Sequence, residues 1–111
     1  MSEQVAQEIE VTMKQAQDCI ALSDSLERLH KNRDFKKVIS ECYFKEEPAR
    51  LVGLKSDPNM QVAEHQEAII KDIDGIGALQ QFFRAIFHRA EWAKQAIEQG
   101  QEELVELADE D

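Results

Sequence analysis

The 111-residue sequence is poor in chain-reversing residues, with four glycines and two prolines, which argues against a β-rich or loop-rich fold. It holds no run of 18 apolar residues, so no membrane-spanning helix is expected. The opening Met1-Ser2-Glu3-Gln4 lacks the basic-then-apolar pattern of an export signal. A cytosolic setting is therefore expected, with Cys19 and Cys42 as reduced thiols on apolar stripes. Reactive chemistry is scarce as well. Cys19, Cys42, His30, His65 and His88 are too scattered for a zinc site, and neither CxxC nor HxxxH occurs. No phosphate-cradling glycine loop, GxSxG or HExxH is present. Carboxylates close in sequence, such as Asp72 with Asp74 or Glu102 with Glu103, point to different helix faces and do not converge as acid and base. The expectation is a protein that is not an enzyme and takes no cofactor or metal.

What the sequence does have is a long seam. Ile69, Ile76, Phe83, Ala90, Ile97 and Leu104 are spaced seven apart, and Leu79, Ile86, Ala93 and Leu107 fall three after four of them. That alternation of three and four puts all ten on one helix face, as in a coiled coil. Upstream, Val5, Ile9, Met13, Ala16 and Ile20 form a stripe that Cys19, Leu22, Leu26 and Leu29 continue on a displaced face. Asp34 suits the N-cap of a short helix with Phe35, Val38, Ile39 and Cys42 on one side. Pro48, after Glu46 and Glu47, suits the first turn of another, presenting Ala49, Leu51, Val52 and Leu54. Asp57-Pro58 marks a turn, with Asp57 capping the long helix. Gly75 and Gly77 interrupt the seam without shifting its phase, so the long helix is read as continuous, with a hinge at Asp74–Gly77 as the alternative.

These elements predict an all-α fold in one domain. It is a long antiparallel helical hairpin, residues 3–31 and 58–107, with two short helices over 34–54 in the connection and an acidic frayed tail at 108–111. The second long helix outruns the first, so cover is expected in part from the two short helices and for the rest from another chain: the molecule is read as elongated and as a homo-oligomer.

Charge is unevenly spread. Residues 1–27 carry one basic and six acidic side chains, residues 28–55 eight basic and four acidic, and residues 56–111 four basic and thirteen acidic. A net charge of −10 repels nucleic acid, which is not expected as a partner. The basic patch of Lys31, Arg33, Lys36 and Lys37 reads either as a solvated helix face or as a surface for a carboxylate-rich partner. Phe82, Phe83, Phe87 and Trp92, rimmed by Arg84 and His88, read either as core packing or as a partner interface, since aromatic and Arg side chains favour interface centres.

The order Asp34-Phe35-Lys36-Lys37-Val38-Ile39, Tyr43-Phe44-Lys45-Glu46-Glu47-Pro48-Ala49-Arg50-Leu51-Val52, Asp57-Pro58-Asn59 and Ile73-Asp74-Gly75-Ile76-Gly77-Ala78-Leu79 resembles small helical proteins of tailed bacteriophages encoded among head and assembly genes. The likeness covers residues 26–106 and carries no catalytic motif. It implies a virion-associated or assembly protein acting through helix-mediated contacts with a head or connector component, in the host cytoplasm or the virion. A small acidic inhibitor that mimics nucleic acid against a host defence or polymerase protein is the alternative.

Overall fold

In the computed structural model, which describes residues 2–110, every element is helical and no strand occurs among the described residues. Helix α1 spans Ser2–Lys31. A continuous helical run follows: α2 (Arg33–Phe35), a π segment (Lys36–Glu46) and α3 (Glu47–Ser56). After a 3₁₀ turn at Pro58–Met60, α4 spans Ala63–Glu110. No helix of the described residues is long and apolar enough to cross a membrane.

Several boundaries differ from those expected. The N-cap of the connecting run is Asn32, not Asp34: Asn32 Oδ1 accepts from the amides of Asp34 and Phe35, both at 3.0 Å. Asp34 instead lies in the first turn, where its charge suits the positive end of the dipole. The two short helices expected over 34–54 are one unbroken run, because Glu46 and Glu47 keep right-handed helical angles. Asp57 does not cap α4. Its carboxylate accepts from the Asn59 amide at 2.9 Å and closes the 3₁₀ turn, and α4 begins only at Ala63. Two glutamines tie this junction: Gln61 Nε2 donates to the carbonyls of Lys55 and Asp57, and Gln66 Nε2 to those of Lys55 and Met60. At Asp74–Gly77 α4 is unbroken, so the hinge alternative is not adopted. The tail stays helical through Glu110; Asp111 lies outside the described residues.

The π segment accounts for the largest departure. Over its 11 residues the backbone bonds skip five, as where the Glu47 amide reaches the Cys42 carbonyl. Such windings usually last a single turn. A ladder of that step advances each residue by less than an α-helix does, so faces repeat about every 4.4 residues. The shielded positions follow that period: Phe35, then Ile39 and Ser40, Tyr43 and Phe44, Glu47 and Pro48. Val38 and Cys42, expected inside from α-helical spacing, are turned to solvent.

By its contacts the chain divides into two compact units. The middle unit, Glu27–Arg84, is built on Leu51, Ile69 and Ile76, with Tyr43, Phe44, Leu54 and Met60 packed around them. Leu51 is 1% exposed, and burying such a side chain contributes roughly 1.5–3 kcal/mol. This first part of the α4 seam is covered by residues 33–60 of the same chain, the cover expected in part from the connecting helices. The terminal unit, Met1–Leu26 with Ala85–Asp111, sets the first turns of α1 against the last turns of α4, an antiparallel pairing. Its buried positions are mostly small: Ala16 and Ser23 on α1, Ala90, Ala93 and Gly100 on α4. A Cβ placed on Gly100 would stand 2.7 Å from Met13 Cγ and 3.3 Å from Ile9 Cγ2, so the helices meet closely there. The α1 stripe does not shift sideways at Leu22 and Leu29, which are exposed; it continues through Ser23 and Leu26.

Candidate interaction surface

The residues expected to form one aromatic interface fall in both units. In the middle unit Phe83 is a packing hub. Its ring centroid lies 5.2 Å from His30, 6.0 Å from both Phe35 and Phe44, and 6.1 Å from Phe82. His30 also stacks 5.0 Å from Phe35. Four rings surround Phe83, which is half-buried among them. Phe82 is 54% exposed beside it, and Arg84 is exposed. In the terminal unit Phe87 is half-buried, His88 is exposed, and Trp92 is 69% exposed. The basic residues Lys31, Arg33, Lys36 and Lys37 are all exposed in the middle unit.

A second feature of the middle unit was not anticipated. Between α3 and α4 an open groove of about 350 Å³ is lined by Phe44, Pro48 and Val52 on one side and by Ile73, Gly77 and Gln80 on the other, with Ile76 at its floor. The winding explains it. The π segment delivers Phe44 one turn before Pro48, and Pro48 and Val52 share a face of α3 four residues apart. Gly77 has no side chain to fill the space, and a Cβ there would meet nothing within 4 Å. Val52 and Ile73 remain exposed at the lips, so apolar surface faces water. One signal for this groove is present in the sequence: Ile73 sits off the main seam yet next to it, where a single covering helix would leave it uncovered.

Two charged residues of α3 are paired. Arg50 Nε and Nη2 donate to the two carboxylate oxygens of Glu47 at 2.7 and 2.9 Å, a bidentate pair. That bond holds the Glu47 carboxyl below the usual carboxylate range and raises Arg50. Loss of solvent around the Cys42 sulfur, together with Glu46 and Glu47, pushes its thiol above its ordinary value. A thiol shifted in that direction is a poor nucleophile at neutral pH. Cys19 and Cys42 are both free, and Cys42 is exposed rather than buried. Among the described residues no group of three or more His, Cys, Asp or Glu could hold a metal ion. The surface can offer apolar area framed by fixed helices, which is what docking of another helix requires.

No protein-family model matches the chain, and no curated protein or solved structure matches it. The functional reading rests on its own residues.

Proposed function

We propose that this protein is a non-enzymatic virion-associated or assembly protein of a tailed bacteriophage, acting by helix-mediated contact with a larger head or connector component. The groove between Pro48–Val52 and Ile73–Gly77 is the observation that carries the reading: exposed aliphatic side chains on two rigid helices form a seat for an amphipathic partner helix. The resemblance over residues 26–106 supplies the phage setting. The test is mass spectrometry of purified particles and assembly intermediates from cells expressing wild type or a Val52→Asp/Ile73→Asp variant that retains its helical spectrum. Wild type is expected in one of these fractions and the variant depleted from it. Absence of the wild-type chain from both removes the proposal.

One observation favours the acidic-inhibitor alternative. The terminal unit holds thirteen acidic and three basic side chains, so it carries the whole net charge, while the middle unit holds ten of each. Salt-sensitive binding to a basic nucleic-acid groove, abolished by reversing charges in the terminal unit alone, would select that reading over the first.

A further inference from the structure

Four cations gather within seven residues at one corner of the middle unit. Lys31 ends α1, Arg33 opens α2, and Lys36 and Lys37 open the π segment. All four are exposed, and none joins an ion pair among the described residues. Val38 follows directly and is 58% exposed, because the five-residue ladder turns it outward. It stands about one turn beyond Arg33 and next to Lys37. Asp34, also exposed, lies among the four cations, so residues 31–38 carry four positive charges and one negative beside an exposed valine, and the excess cations repel one another until an anionic partner arrives.

A surface of the opposite kind exists on the same chain. In the last turns of α4, Glu98, Glu102 and Glu106 frame Val105, which is 61% exposed, on one open face. No Lys or Arg occurs after Lys94. Residues 98, 102 and 105 share a helix face. An apolar centre framed by negative charge complements an exposed valine flanked by net positive charge, the arrangement of a small interface with a polar rim.

We propose that the Lys31–Val38 corner docks the last turns of α4 of a second copy, with Val105 against Val38 and Glu98, Glu102 and Glu106 among the four cations. Nucleic acid would engage the same cations, but its phosphate backbone offers no apolar side chain to cover Val38 beside them. Each exposed ion pair is weak, so the contact depends on several acting together and loosens as salt rises. It does not rest on the groove or on the phage reading, and either can fail without the other.

Two charge-reversed variants test it by sedimentation at about 100 µM protein, at low salt near 20 mM and again near 500 mM. The corner variant is Lys31→Glu/Arg33→Glu/Lys36→Glu/Lys37→Glu; the tail variant is Glu98→Lys/Glu102→Lys/Glu106→Lys. Wild type is expected to associate at low salt and dissociate at high salt. Each variant alone, checked for retained helicity, should associate at least about tenfold more weakly, since like charges then meet at the contact. Mixing the two variants restores opposite charges across the contact and should restore association. Val105→Ser should weaken wild-type association without changing helicity. A monomeric wild type at low salt, a corner variant that associates as wild type does, or a mixture that stays monomeric each overturns the proposal. Retardation of a duplex oligonucleotide by a wild type that does not self-associate overturns it in favour of nucleic acid.

Discussion

Apart from Leu26 and Ile86, the buried residues of the terminal unit are small, whereas the middle unit lines the α4 seam with large aliphatic and aromatic ones. Ala16 and Ser23 on α1 and Ala90, Ala93 and Gly100 on α4 leave little volume between helices, so backbones can come near and shape fit does the work. Leu51, Ile69 and Ile76, with the rings about Phe83, fill a wider space, and a π-wound segment spans it. The same helix therefore supports two kinds of packing. In the close one a Cβ on Gly100 would press on Met13 and Ile9. The wide one leaves Gly77 open and a groove beside it. Charge separates along the same line, with the balanced unit carrying the groove and the acidic unit carrying the net charge.

Substitutions in the two units should fail in opposite ways. The largest effect is expected for Leu51→Ala, a cavity at a side chain only 1% exposed, at about 2–5 kcal/mol of unfolding free energy in urea titrations. If Leu51→Ala costs under about 1 kcal/mol, the middle unit is not packed as described. Next comes Gly100→Val, which overfills the close contact with Met13 and Ile9 and should destabilise by about 1–3 kcal/mol. Gly77→Ala on the same helix should do the reverse, gaining roughly 0.8–1 kcal/mol of helix propensity with no clash, as read from thermal melts. Like signs for the two glycine variants would erase the contrast between units. Asn32→Ala, which removes the cap of the connecting run, should cost about 1 kcal/mol. The smallest effect concerns pH. Glu47 is depressed by Arg50, so the pair stabilises above the carboxylate's unfolded pKa and that contribution is lost as pH falls through the lower folded value. Arg50→Ala should return the Glu47 titration, followed by NMR, to the ordinary carboxylate range.

The α4 seam was fully legible, because all ten positions from Ile69 to Leu107 obey one period and all are buried or half-buried. The α1 stripe was legible only in part. Ser23 is polar, and the larger Leu22 and Leu29 drew the expected face sideways, although a serine fits a seam of small residues without leaving a void. The connecting run was misread for a different reason. Phe35, Val38, Ile39 and Cys42 make a good α-helical stripe, yet the π winding lengthens the repeat to about 4.4 residues and turns Tyr43 and Phe44 inward, half-buried, in place of Val38 and Cys42. The candidate surface shared that fate. Phe83 could be assigned to the seam from its position, whereas the groove arises from the packing of α3 on α4 and has no local motif. Asn32 and Asp34 are both good caps by composition, and only the position of the preceding helix end decides between them.

The central claim is that this chain covers its own seam in the middle unit, with Phe83 held by His30, Phe35 and Phe44 of the same molecule. Isotope-filtered NOE spectroscopy on a mixture of labelled and unlabelled protein measures that directly. Cross-peaks between the Phe83 ring and those three rings within one labelled chain are predicted; cross-peaks that appear only between labelled and unlabelled chains, or none at all, would contradict it.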